Sequence, residues 1–276
     1  MTPGKGSDAV RFHSGLVAGG LAVAAADRKL PLFEACVTRL RDQVSAEQSV
    51  GEQIAFFVPG RIEVLGKHTD YAGGDSLLCA VSHGFCFVIQ PTASSSLTVI
   101  NAATGEGVNI GTRENRGSRS FLGHWSNYPN TVWQRVRHNV SEDLRGGVVA
   151  FASDLPEAAG ISSSSALVVG TFLAIDAVNG IVDSAGFRAN VPSLEALGDY
   201  LGCVENGRDY PGMPGTAGVG TTGGSQDQTA ILCARAGELQ HFSFGPTKFN
   251  RSVPIFPGYT FVIAASGVRA EKTGDA

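Results

Sequence analysis

Apolar residues along the chain fall into helical and alternating patterns that change at identifiable points. Leu32, Phe33, Cys36, Val37 and Leu40 recur at helical spacing and predict an amphipathic helix within the first fifty residues, packed on the body that follows. From Ile54 to Ile110 the pattern becomes short β-rich runs separated by Gly, Ser and Asn. Ile54, Phe56 and Val58 mark the first strand, with Pro59-Gly60 expected to break its pairing before Arg61. Ile62 to Leu65, Phe85 to Ile89 and Leu97 to Ile100 continue the β pattern. Trp125, Val132, Trp133 and Val136 predict a helix, and Gly147 to Phe151 a buried strand. Ala166 to Val178 is apolar on nearly every side, as a fully buried helix is. A further helix places Leu194, Leu197, Leu201 and Val204 on one face, with Glu205 beside that face near its end. Gly207 to Gly224, rich in Gly and Pro, reads as a mobile loop, and Tyr259 to Ser266 as a last strand. Strands and helices mix without a regular βαβ repeat, so the class expected is α+β.

Composition narrows the function. A chain of 276 residues, 43% hydrophobic and 17% charged, can bury a core of one large or two smaller domains. Its formal charge of -4 offers no basic footprint for nucleic acid, and no run of like charge suggests a membrane-surface helix. Cys36, Cys79, Cys86, Cys203 and Cys233 are odd in number and lack C-x-x-C spacing, so they read as reduced core thiols and point to the cytoplasm. Gly15 to Ala26, preceded by Lys5 and Arg11, has the outline of a signal peptide, but it is rich in Gly and Ala. His13, His83, His124, His138 and His241 show no metal spacing. Small-molecule chemistry is the default.

Two segments carry that chemistry. Val58 to Tyr71 gathers Arg61, Lys67, His68 and Asp70 around a glycine turn. Asp70 can accept from two adjacent hydroxyls while His68 donates or accepts one, which suits a sugar; a surface turn with solvated charges is the plain alternative. Gly160 to Leu167 sets a turn and four serines before a long helix, where unpaired N–H groups and the macrodipole favour phosphate. An ordinary serine N-cap is the alternative there, and it needs only one serine. Asp227 opens a helix, where a capping role is also open to it.

The pair of segments resembles the first two signatures of the GHMP kinases, and galactokinases most closely: P-G-R-x-x-x-x-G-E-H-T-D-Y and P-x-G-x-G-L-S-S-S-A. The resemblance extends to Trp125-Ser126-Asn127-Tyr128, Val204-Glu205-Asn206 and Gly224-Ser225-Gln226-Asp227-Gln228. It implies a GHMP-kinase N-terminal domain followed by only the start of a ferredoxin-like domain. The corresponding division is a helical extension over 1–50, a body with sugar and ATP-phosphate motifs over 51–245, and the opening of a further domain over 246–276. The implied activity is transfer of the ATP γ-phosphoryl to the anomeric hydroxyl of galactose or a related hexose, with Mg2+ as cofactor. By this resemblance Asp227 and Arg61 are catalytic, and Arg61, Lys67, His68, Asp70, Gly224 and Asp227 bind the sugar. Gly160, Ser162, Ser163, Ser164, Ser165, Ala166 and Trp125 bind ATP, and Ser164 and Glu205 hold the metal.

Three departures stand out. Lys67 replaces a glutamate that contacts the sugar near C6, which opens the alternative of a uronic acid such as galacturonate as substrate. Ala158 stands at a glycine position of the phosphate signature. Full-length relatives continue for on the order of a hundred residues, about one further domain, so this chain alone is expected to be a poor kinase. A non-catalytic galactose-sensing paralogue is the rival from another class; the retained Ser165-Ala166 favours the enzyme.

Overall fold

The computed structural model describes residues 5–45, 47–111, 123–156, 160–256 and 258–262. Seven strands among them form one sheet: β1 (Ile54–Leu65), β2 (Asp75–Pro91), β3 (Leu97–Asn101), β4 (Gly107–Ile110), β5 (Gly147–Ser153), β6 (Glu238–Ser243) and β7 (Lys248–Pro254). The order is β4-β3-β5-β2-β6-β7, with β1 paired to the other edge of β2. The β3–β5 pair is parallel and every other pair antiparallel. The long strand β2 organises the sheet, because it binds β1 along one edge and both β5 and β6 along the other.

Its apolar run is unbroken because both faces are covered. Phe85, Phe87 and Ile89 turn to one layer, and Cys86 and Val88 to the opposite one. Val149 and Phe151 of β5 share the first side, Ala150 and Ala152 the second. The first layer holds α3 (Asn127–Asn139), α4 (Ser163–Asn179), α5 (Ala185–Asn190), α6 (Leu194–Asn206) and α7 (Gln226–Cys233). The second is built by α1 (Lys5–Ala18) and α2 (Val23–Gln43), whose Phe33, Cys36, Val37 and Leu40 bury as the spacing requires. Each such side chain contributes roughly 1.5–3 kcal/mol on leaving water, so the N-terminal helices are part of the fold. Helix α4 is buried on almost all sides because β1 and β2 lie under it and α3, α6 and α7 flank it.

Several expectations are corrected. Pro59-Gly60 interrupts the pairing before Arg61 as expected, but it does not end the strand: β1 continues to Leu65 across a bulge between Pro59 and Arg61. Trp125 precedes its helix, which starts at Asn127, and Leu194 is exposed although it heads the α6 stripe. The stretch from Gly207 to Gly224 is tied down: Met213 and Val219 are buried, and Arg135, Asn139 and Asn127 of α3 donate to the carbonyls of Arg208, Pro214 and Val219. Residues 259–262 form no strand, and the rest of the strand expected to Ser266 lies outside the described residues, as does Ala158. The apolar run Gly15 to Ala26 spans the end of α1, a turn and the start of α2. Among the described residues no helix is long and apolar enough to cross a membrane. All five cysteines are free, and burial pushes the Cys36 thiol up to about 12.

Candidate active site

The bulge in β1 turns Arg61 into the protein, where it is nearly buried. Gly60 makes this possible, since a Cβ there would lie 2.9 Å from the Ile161 carbonyl and 2.7 Å from a Leu155 methyl. The Arg61 guanidinium then spans two distant segments. Its Nε and Nη2 contact Asp227 Oδ1 at 2.7 and 2.6 Å, and its Nη1 donates to the Gly160 carbonyl at 2.8 Å. Asp227 lies in the first turn of α7, and its Oδ2 accepts from Ser162 Oγ at 2.5 Å. One carboxylate thereby joins the strand of the first segment to the glycine-serine turn of the second.

Ser162 occupies the N-cap position of α4 without capping it. Its φ of 62° is left-handed, and its hydroxyl is spent on Asp227 rather than on the first-turn N–H groups. Those N–H groups, with the half-buried Ser163 and Ser164, leave a helix start suited to an anion. The other non-glycine residue of positive φ among those described is His68, at 56°. Both fall in the two chemistry-bearing segments, where backbone strain is often retained for function.

Behind this pair Glu205, nearly buried at the end of α6, accepts from Ser165 Oγ at 3.0 Å and from Gln228 Nε2 at 2.5 Å. Ser165 Oγ is also 3.4 Å from Asp227 Oδ2, so it lies between the two carboxylates. Burial, and then the Glu205 charge, push the Tyr128 phenol above its ordinary range. Among the described residues no three His, Cys, Asp or Glu side chains gather as a metal cage. One carboxylate with neighbouring hydroxyls fits Mg2+, a hard ion that keeps waters and takes substrate phosphate oxygens as further ligands.

The loop after β1 closes the third side. Asp70 opens a single 3-10 turn (Asp70–Ala72), and its Oδ2 accepts the Gln226 N–H at 3.1 Å, at the start of α7. Gly224 is needed beside it, because a Cβ there would fall 2.0 Å from Asp70 Oδ2. Ser76 Oγ lies 2.9 Å from Gln226 Oε1 and 3.0 Å from the Gly66 carbonyl, so its single proton is shared between the start of α7 and the turn after β1.

Direct hydrogen bonds thus join Arg61, Gly160, Ser162, Ser165, Glu205 and Asp227, with Asp70 and Gly224 adjoining. Ala166 is fully buried beneath, and Lys67 and His68 are exposed. Trp125 makes its contacts elsewhere: its indole donates to Glu106 Oε2 at 2.8 Å and meets Phe151 edge-on at 5.2 Å. Gln226 and Gln228 stand in the Gly224 to Gln228 motif without a role read from sequence, and nothing there points to Ser76. Two glutamines flanking Asp227 were the available signal, since amides buried this deeply require partners. A cavity of about 1160 Å³ lies apart, between α1, α2, β1 and the segment after α7, and none of the candidate residues lines it.

The galactokinase galactose-binding signature matches residues 47–91, and the GHMP kinases N-terminal domain matches residues 127–204. A galactokinase of Lactiplantibacillus plantarum is 26% identical over 207 residues, 72% of this chain and 49% of the relative. One of Roseiflexus sp. is 25% identical over 233 residues, 83% of this chain and 52% of the relative. The chain therefore spans about half the length of the curated relatives it matches. Lactococcus lactis galactokinase, whose crystal structure holds galactose, superposes with a TM-score of 0.56 at 23% identity over 74% of this chain and 48% of its own. Methanococcus jannaschii mevalonate kinase superposes with a TM-score of 0.53 at 14% identity over 73% of this chain and 56% of its own. The fold has the α+β architecture of a GHMP-kinase N-terminal domain, its sheet open at β7 among the described residues. Both matches fall in the order the segments require, and by them the chain resembles the GHMP kinases, with galactokinases and related sugar kinases among the similar proteins.

Proposed function

We propose that this chain supplies the sugar and phosphate sites of an ATP-dependent sugar kinase that phosphorylates the anomeric hydroxyl of galactose or a related hexose. The observation that carries the reading is the meeting of both segments on Asp227, held on one oxygen by Arg61 and on the other by Ser162. Arg61 fixes the carboxylate through Oδ1 and leaves Oδ2 for an exchangeable hydroxyl. An incoming sugar hydroxyl takes the place of the Ser162 hydroxyl at Oδ2. As its oxygen bonds to the γ-phosphorus, its proton passes to Asp227 and the bond to the ADP oxygen breaks.

The start of α4 receives the phosphates through its uncapped N–H groups and the hydroxyls of Ser163 and Ser164. Glu205 with a serine hydroxyl would hold Mg2+, which supplies neutralisation of phosphate charge when bound. Arg61 adds a fixed positive charge beside the transferring group, and its hydrogen bond to the Gly160 carbonyl keeps the phosphate segment against it. Asp70 and His68 offer acceptor and donor groups to the remaining sugar hydroxyls.

Sugar-dependent ADP release tests this, with galactose, glucose and galacturonate offered in turn to the chain and MgATP. Release with a hexose, with sugar 1-phosphate as product, supports the reading. Preference for galacturonate would assign Lys67 to the substrate carboxylate. Binding of sugar and nucleotide without ADP release would favour a sensing role, and binding of neither would overturn the proposal.

A further inference from the structure

Helix α2 carries a charge where its buried stripe needs none. Lys29 lies on the same face as Ala26, Phe33 and Cys36, and its relative exposure is 0%. Its ammonium donates to Asp154 Oδ2 and stands 5.3 Å from the centroid of the Phe57 ring. Asp154 Oδ1 accepts the Gly84 N–H at 2.8 Å, and the Asp154 N–H donates to the Gly84 carbonyl at 3.2 Å. Asp154 is thus gripped by β2 and α2 at once. It is also the residue that follows β5 and begins the approach to the phosphate segment. Leu155 packs at Gly60, and Arg61 holds Gly160 from the far side.

Stability alone does not call for this pair. Desolvation of the buried Lys29 ammonium offsets much of its attraction to the partly exposed Asp154, and an apolar residue of similar volume often replaces such a buried charge without loss. An ion pair does define one register between the elements it joins. We propose that Lys29 is a positioning residue for the nucleotide: through Asp154 it fixes the start of the phosphate segment, which makes α2 a working part of the ATP site. The proposal rests on the reading that Gly160 to Ser165 take the ATP phosphates.

The test is the pair of substitutions Lys29→Met and Asp154→Asn in one chain, which removes both charges and keeps an acceptor for the Gly84 N–H. Wild type and variant are titrated separately with MgATP and with galactose, and melted. The variant should melt near wild type, keep its sugar affinity and bind MgATP about tenfold more weakly, the scale of one degraded charge-assisted contact. Unchanged nucleotide affinity overturns the proposal, as does equal weakening of both ligands, since Lys29 would then serve packing alone. A wild-type chain that binds no MgATP overturns the phosphate reading and this proposal with it, a loss distinguished by being present before any substitution.

Discussion

Asp227 concentrates at one side chain the bonds that hold the candidate site together. Replacing it by Asn keeps the shape and an acceptor for Arg61 Nε, but removes the proton acceptor. Asp227→Asn should therefore lower sugar-dependent ADP release by about 10²- to 10⁴-fold, the range of a lost general base, and also lower the melting temperature, because the nearly buried Arg61 loses its charged partner. Wild-type turnover in this variant would remove Asp227 from the mechanism. Gly224 makes a second, sterically defined case. Alanine there would drive a methyl to 2.0 Å from Asp70 Oδ2, and Asp70 is too short to swing clear without losing the Gln226 N–H. Gly224→Ala should cost about 1–3 kcal/mol of stability by overpacking and weaken galactose binding while sparing MgATP; equal affinities for galactose in both proteins would refute that. At this scale the sequence was informative about identities and poor about partners. Arg61, Asp227 and Glu205 stand out as charged residues in patterned segments, but nothing in one dimension shows Ser165 turned toward Glu205, or Gln228 beside it. Those contacts depend on which face of α4 meets α6 and α7.

At the scale of elements, the segment from Gly207 to Gly224 shows how composition misleads. Gly and Pro disrupt hydrophobic periodicity, so the stretch reads as unanchored, while its partners lie some seventy to ninety positions away on α3. Arg135 is the principal tether. It is fully buried, donates to Asn139 Oδ1 at 2.6 Å, to the Arg208 carbonyl at 2.8 Å and to the Met213 carbonyl at 3.4 Å, and lies 5.8 Å from the centroid of the Tyr200 ring. Arg135→Met keeps much of the apolar stem and removes the donors, each worth roughly 1.5–3 kcal/mol when charged. The variant should lose about 3 kcal/mol of stability by this reckoning, and trypsin should cut after the exposed Arg208 much faster than in wild type. Unchanged cleavage would show that Met213 and Val219 hold the segment by burial alone. Pro59-Gly60 carries the complementary lesson, because a dipeptide that ends many strands here makes a bulge, and the long partner β2 continues past it.

For the whole molecule, the α+β class was legible because two periodicities and a continuous apolar run each demand a different burial. The double-sided covering of β2 was not, since an apolar strand does not say what covers it. The same reasoning applies to surfaces left bare. Phe256, Tyr259 and Val262 are 72%, 79% and 86% exposed, and Phe261 is 43% exposed, so four large apolar side chains face water within seven positions. Strand β1 adds an edge that meets no further strand among the described residues, beside the large cavity lined by Ile54, Phe56 and Phe57. Apolar patches beyond a few hundred square ångströms and open strand edges both favour association. The 276-residue chain should accordingly bind an apolar-surface dye and sediment as species that grow with concentration. Phe256→Ser together with Val262→Ser should reduce both signals without altering the melting temperature, since neither side chain is buried. A monodisperse monomer that leaves the dye dark would mean these side chains are covered in solution, and an unchanged signal in the double variant would shift the cause to the β1 edge.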